Sequence, residues 1–574
     1  MRKTDFIFCE IDESFSKNKN KLYAGPWSTS RKNYENINFI KCRWHDQKKR
    51  DKDYKYLKKI NDFFLKEIAL FLNKYHKTNY PIKFWEINIS IWLSNYLSTI
   101  YYRWKIINKI YKKKNYNLFV SNDAHLPIQN SLEFYNNISR SSYYNYIIYN
   151  KIISFLNKKK KLCCNLILKK NFLYEKKNII RTERYSLGYK FLSFVLTIFR
   201  FFSKRNKILI VDGFAIKMII KLNLRLLQFP FFVNSFFNKS LEFKKNFYDY
   251  EKRKANLKKK ISKDSFVQFL YENIFFDIPK IFLENFKENE KRVNSYNLSP
   301  KIIYSGYAHH YNDLFKIWLA KKASIKKIPF NVICHGGDHT KQSGIFDFET
   351  RISSNNFRWV KSKKNQANLP AAKYINKSFY RDKNKKLLLF LSHELNPYPF
   401  RLDEAPITID NLNLGSILAT IKKKLNKKIF DQFFFCPKFF GCDKFQNDVR
   451  INLDKNKILK PFQFEKNLRK AKIVFCTYPQ TAFIDAIRNG PTILFIDNNY
   501  WRPEKNLKKI YTKLKKERIL FYSLDDAIKH INNIWYNIDE WWNSSNVKNA
   551  KKEFLIAMSC DDNNEKKWIN YLSK

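Results

Sequence analysis

Between residues 54 and 75, Leu57, Ile60, Phe63, Phe64, Ile68, Leu70, Phe71 and Leu72 recur at helical spacing and predict an amphipathic helix. A second long helix is expected over 83–112, where a run of lysines suits a helix C-terminus. Ahead of them, 6–11 and 38–42 read as strands, separated by a loop holding Gly25-Pro26-Trp27. Residues 114–205 mix a strand at 118–121 with helical stretches at 130–157 and 186–203. At Lys207 the pattern changes. Ile208-Leu209-Ile210-Val211 is a compact aliphatic run ending in Asp212-Gly213, as a buried parallel strand does where it enters a loop. Similar runs follow at 301–304, 329–334, 386–391, 433–436, 472–476, 492–496 and 519–522, with helical segments such as 311–322 and 482–489 between them. Strand–helix alternation on this scale predicts parallel α/β domains.

Residues 361–384 are polar and basic with little periodicity, and are expected to link two domains. The division that follows is 1–205, an N-terminal α/β region with long helices; 206–380, the rest of the first half; 385–545, a second α/β domain; and 546–574, a helical end. No repeat of fixed period is present.

Composition changes this picture in one respect. Among 574 residues, 110 Lys+Arg stand against 51 Asp+Glu, a formal charge of +59. The basic residues are spread along nearly the whole chain beside Asn, Ile, Phe and Tyr, all served by A- and T-rich codons. A biased genome therefore explains them better than a nucleic-acid footprint, which would be a localised stripe. Nucleic acid is not the expected partner; anionic lipid headgroups and phosphate-bearing substrates remain attractive to such a surface. A hydrophobic fraction of 44% excludes a disordered chain. Nine scattered cysteines with no CxxC spacing argue against a zinc ribbon or disulfide scaffold and fit a reducing compartment. The opening residues do not read as a secretory signal, and the apolar stretches at 87–102 and 191–199 are too interrupted or too short to span a membrane. A cytoplasmic location is expected, with the inner face of the cell membrane as the surface such a charge would meet.

Three strand-end loops carry candidate chemistry. In Cys334-His335-Gly336-Gly337-Asp338-His339 a strand runs into a His-Gly-Gly turn, which places an imidazole where α/β ligand crevices open. Gly336 and Gly337 permit close backbone approach to an anion, and His335 suits a general base or a phosphate donor; otherwise it is a histidine in a tight turn. His309 and His310 stand one helix earlier, but no carboxylate lies at a spacing that would complete a metal site, so no metal and no cofactor is assigned. In the second loop, Thr477, Gln480 and Thr481 gather at a helix start, whose N–H groups favour phosphate, with Asp485 one turn further in. Thr481 would otherwise only cap that helix. The third loop places Ser392 and Arg401 after the strand at 386–391, and Lys438 follows 433–436. These are phosphate-binding candidates, or ordinary residues of a basic protein.

Taken in order, certain motifs resemble a family of transferases encoded in O-antigen and other surface-polysaccharide gene clusters of bacteria. They are Gly25-Pro26-Trp27, Trp44-His45-Asp46, Phe84-Trp85, Trp92-Leu93, Arg103-Trp104, His335-Gly336-Gly337, Tyr398-Pro399-Phe400-Arg401, and Cys476-Thr477-Tyr478 through Gly490-Pro491 to Trp541-Trp542. The resemblance implies a GT-B glycosyltransferase-like architecture, two facing Rossmann-like domains with a helix-rich N-terminal elaboration. It implies a nucleotide-activated sugar donor held by 385–545, a saccharide or lipid-linked acceptor on the N-terminal side, and His335 as the base that deprotonates it. Members of this kind need no bound metal, because basic groups and helix dipoles stabilise the departing phosphate. Asp338-His339 departs from the aromatic-glycine continuation of the family turn. The alternatives are phospho-polyol or phospho-sugar transfer through the same crevice, a nucleic-acid-binding protein, and a catalytically dead scaffold.

Overall fold

The computed structural model describes residues 3–29, 37–121, 126–169, 191, 194–195, 200–231, 237, 247–254, 262–336, 345–360, 369–375, 382, 384–393, 396–402, 414–438, 443–496, 501, 503–562 and 564–574. Three sheets form, all with parallel pairing. The first has the order β2-β1-β3-β4, from β1 (Thr4–Ile7), β2 (Lys21–Tyr23), β3 (Tyr116–Ser121) and β4 (Asn165–Lys169). The second, β5-β6-β7-β8, joins Ile208–Ile210, Ile302–Ser305, Phe330–Ile333 and Asn355–Phe357 in chain order. The third runs β10-β9-β11-β12-β13, from β9 (Leu387–Leu391), β10 (Phe433–Phe435), β11 (Ala471–Cys476), β12 (Thr492–Phe495) and β13 (Leu520–Phe521).

The third sheet is covered on both faces because its strands are apolar on both. Along β9, Leu388 and Phe390 pack with the helices Leu414–Lys424 and Leu524–Ile534, while Leu389 and Leu391 pack with Thr481–Asn489 and Ser545–Ala557. The chain winds outward in both directions from the β9/β11 pair, and a crevice opens beyond the carboxyl ends of strands at such a reversal.

The first sheet shares one core with the long helices Gln47–His76 and Ile82–Ile107 and with the strands β6 and β7. Ile82–Ile107 is buried on nearly every side, and two of its polar residues bond back to the helix itself: Asn88 donates to the Phe84 carbonyl and Ser94 to that of Ser90. No helix among the described residues is long and apolar enough to cross a membrane.

Several expectations differ from what forms. The N-terminal strand ends at Ile7 and gives way to the helix Glu10–Phe15, because Asp12 folds back to accept from the N–H groups of Phe8 and Cys9. Residues 38–42 contribute one isolated bridge, Tyr23 to Phe39. The short strands β4 and β8 do not stand out in the sequence pattern. Of the helix expected at 186–203, residues 192–193, 196–199 and everything before 191 lie outside the described residues. The stretch 361–384 is not simply a linker. Residues 369–375 are ordered, Tyr374 is fully buried, the Ala371 N–H donates to the Ser559 carbonyl, and Trp568 Nε1 donates to the Pro370 carbonyl. Through Trp568 and Leu572 the final helix Glu565–Leu572 also packs on the second sheet.

After β9 the chain docks onto the N-terminal region. Buried Arg103 donates to Asn145 Oδ1 through both Nε and Nη2 and to the Pro399 carbonyl, while the Tyr398 N–H donates to the Ser139 carbonyl. Only a planar fork reaches those acceptors together. Arg103→Lys, which keeps the charge, should therefore lower the thermal midpoint nearly as far as Arg103→Ala, by the equivalent of about 1–3 kcal/mol for stranded buried partners. A lysine variant melting like the wild type would show that the fork does not hold this docking.

Candidate active site

The carboxyl ends of β5, β6 and β7 converge because two glycines pass backbone to backbone. A Cβ at Gly306 would lie 2.5 Å from the Gly213 Cα, and Gly213 itself has φ +104°, a conformation that favours glycine. The approach lets Asp212, at the end of β5, grip the next loop. Its Oδ1 accepts from the Ser305 hydroxyl at 2.8 Å and from the N–H groups of Gly306 and Tyr307 at 2.6 and 3.2 Å. Burial pushes the Asp212 carboxyl up, and these hydrogen bonds oppose the shift. The Gly306 carbonyl then accepts from His335 Nδ1 at 2.9 Å. A carbonyl can only accept, so Nδ1 carries the proton and Nε2 presents a lone pair. Desolvation, followed by the nearby charge of His310, lowers the His335 pKa from its ordinary 6.5. At neutral pH the ring is an uncharged base.

His335 stands in the wall of a cavity of about 820 Å³, together with Phe214, Met218, Tyr307, Lys373 and Ile375. The turn that carries it is fixed by Trp359 Nε1 donating to the Cys334 carbonyl and by the Cys334 thiol donating to that of Gly336. Gly336 faces the other half of the molecule: a Cβ there would lie 3.2 Å from Thr481 Oγ1. Gly337 lies outside the described residues.

Thr481 opens the helix Thr481–Asn489 after β11. Gln480 is its N-cap and makes no side-chain capping hydrogen bond, so Thr481 sits one position inside and is not the cap. A second cavity of about 340 Å³ lies at this helix start, lined by Ser392, His393, Lys438, Gln480, Thr481 and Asp485 among others. Thr477 is not in its lining; it is buried beneath, donating its hydroxyl to Ser392 Oγ at 3.3 Å and so tying the ends of β9 and β11 together. Asp485 is buried and accepts from Lys373 Nζ at 2.6 Å, so its first partner is an ammonium group. Arg401 is placed elsewhere. Its guanidinium lies over the rings of Phe400 and Tyr135 and lines neither cavity, because the docking of 398–400 carries it to the N-terminal region.

Two residues that the sequence did not single out complete the arrangement. Lys373 lines both cavities, and nothing in the pattern of 361–384 marks it. His393 follows Ser392, and its buried Nδ1 makes no hydrogen bond; burial, then Lys438, lowers its pKa to about 4. Its position directly after a strand was the available signal.

Beyond His335, the fold also brings Glu349 to the paired histidines. Glu349 Oε1 lies 3.3 Å from His309 Nε2 and 2.7 Å from His310 Nε2. Burial alone would raise this carboxyl, yet the two histidines beside it hold it well below the usual range.

A sequence profile described as LIC12162 family transferase matches residues 5–572. The chain belongs to the LIC12162 family of transferases. The match runs across all three sheets, and it agrees with the transferase that the resemblance of the ordered motifs implies. No curated protein matches. Among solved structures, a crystal structure of a Listeria monocytogenes protein, described as a UDP-N-acetylglucosamine 2-epimerase, is 11% identical. It aligns over 63% of this chain and 93% of its own with a TM-score of 0.32, a likeness too slight to assign a fold or a reaction.

The close pass at Gly306 predicts an asymmetry between two small changes. Gly306→Ala sets a methyl against backbone and should destabilise by about 1–3 kcal/mol. Gly336→Ala meets a side-chain oxygen at 3.2 Å and should cost much less. Calorimetric midpoints of the two variants check this; equal midpoints would mean that the Gly213–Gly306 contact does not constrain the site.

Proposed function

We propose that the protein is a glycosyltransferase of bacterial surface-polysaccharide assembly, of the O-antigen type. It would move a sugar from a nucleotide-activated donor to a saccharide or lipid-linked acceptor, with the second and third sheets acting as two facing Rossmann-like units of a GT-B enzyme. The observation that carries this reading is the meeting of Gly336 with Thr481, two strand-end loops from different sheets, with Lys373 in the walls of both cavities.

On this reading the larger cavity receives the acceptor hydroxyl beside His335. Nε2 takes its proton as the oxygen attacks the sugar's anomeric carbon, and the bond from that carbon to the donor phosphate breaks. The nucleotide leaves with the electron pair. Its phosphates would lie at the start of Thr481–Asn489, where the helix dipole, Lys438 and Lys373 offset the growing negative charge. His393 and Ser392 would hydrogen-bond the donor, and Asp485 would hold Lys373 in place. No ion carried by the donor is required for this. The charge of +59 would favour a cytoplasmic enzyme resting on the anionic inner face of the membrane, near a lipid-linked acceptor.

Thermal stabilisation by CMP-, CDP-, UDP- and GDP-linked sugars, without added metal, tests the reading. One donor class should stabilise the wild type, by about 2.7 kcal/mol at a hundredfold excess over Kd, and Lys373→Ala and His393→Ala should weaken the effect. A selective response to a CDP-linked polyol would redirect the reading to phospho-polyol transfer. Silence from every donor beside salt-sensitive RNA binding would overturn it.

With the donor known, His335→Ala should retain the thermal shift while turnover falls by about 10²–10⁴-fold. The wild-type kcat/KM should rise with pH along an acidic limb centred below 6.5, since the neutral imidazole is the active form and its pKa is lowered. A limb that stays in His335→Ala would assign the proton to another group.

A further inference from the structure

We propose that His309, His310 and Glu349 form a binding site for a divalent transition-metal ion of the zinc class, next to His335. The argument rests on three ligand atoms that meet at a buried position, and it is independent of the transferase reading. Asp212 Oδ1 already accepts two backbone N–H groups, so it is the acceptor for the single Ser305 hydroxyl proton. The Ser305 oxygen, 3.2 Å from His309 Nδ1, therefore accepts, and Nδ1 carries the His309 proton. In the neutral ring this leaves His309 Nε2 with a lone pair directed at Glu349 Oε1, 3.3 Å away, on a side chain with no exposed surface.

A lone pair facing a carboxylate oxygen in a buried site is repulsive unless something positive lies between them. His310 Nε2 approaches the same oxygen, and the three ligand atoms all lie within 4.8 Å of one another. Two imidazole nitrogens and one carboxylate oxygen are a zinc-type set, and three protein ligands leave a position for water. The outer shell is also present: His309 Nδ1–H to Ser305, and Ser305 to Asp212, fix the tautomer and the ring orientation that a ligating histidine needs. The ion would stand close to the candidate base, since the His310 and His335 ring centroids are 6.3 Å apart. The sequence could not show this site, because the carboxylate comes from 39 residues beyond His310.

A doubly protonated His309 paired with Glu349 is the competing account, and it predicts no metal. The test uses the full-length protein, stripped with chelator, equilibrated with zinc sulfate and desalted, with zinc measured by mass spectrometry. One zinc per chain is expected in the wild type and in His335→Ala, and its loss in the double variant His310→Gln, Glu349→Gln. Ser305→Ala, which removes only the outer shell, should bind zinc about 10–100-fold more weakly. Cobalt in place of zinc should give the visible absorption of a low-symmetry site. A wild-type protein with no stoichiometric zinc and no cobalt band would overturn the proposal. So would a double variant that melts like the wild type and keeps its zinc at the same affinity. Should the double variant fail to fold, unchanged zinc affinity in Ser305→Ala would still overturn it.

Discussion

The peptide group between Gly306 and Tyr307 is held from both sides. Its N–H donates to Asp212, and its carbonyl accepts from the His335 ring. A carboxylate is thereby joined to an imidazole through one amide, which polarises that amide and fixes which ring nitrogen carries the proton. The arrangement exists only because Gly213 and Gly306 can touch through their backbones. Side chains at those two positions would part the ends of β5 and β6. The His335 turn would then lose its fixed partner, and with it the approach of Gly336 to Thr481.

Much of this was legible where local chemistry and tertiary placement agree. The runs at 207–211, 386–391 and 472–476 are aliphatic because their strands are covered on both faces, and such runs have few other places to go. Their following residues could accordingly be placed at crevice mouths, and Ser392, Lys438, Gln480, Thr481 and Asp485 do gather around one cavity. What was hidden depends on contacts remote in sequence. Lys373 sits in a basic stretch whose order comes from Trp568 and Ser559. Glu349 acquires meaning only beside histidines from another loop. Asn355–Phe357 is too polar and Asn165–Lys169, with only three aliphatic residues, too short to announce itself; each forms by pairing along a neighbouring strand.

The motifs that carry the family likeness divide into two kinds. Of those after β7 and β11, His335 lines the larger cavity and Tyr478 the smaller. Those between residues 25 and 104, with Tyr398-Pro399-Phe400, belong to packing: Trp27 lies against Tyr398, Trp44 Nε1 donates to Asp53, and Arg103 clamps the turn at Pro399. The latter bind the segment after β9 to the N-terminal core and so hold two sheets in register with each other. Arg401 entered the candidate set because it follows β9 toward the expected crevice edge, whereas its guanidinium lies over the rings of Tyr135 and Phe400.

Lys373 lies in the walls of two cavities and is ion-paired to a residue of one of them. An anionic group arriving in the smaller cavity would compete with Asp485 for that ammonium, and the charge seen from the larger cavity would change at the same moment. Each occupant would then alter the free energy of binding the other, by an amount equal in both directions. A single shared cation would make the two compartments one thermodynamic unit, with cooperativity that needs no movement of the backbone.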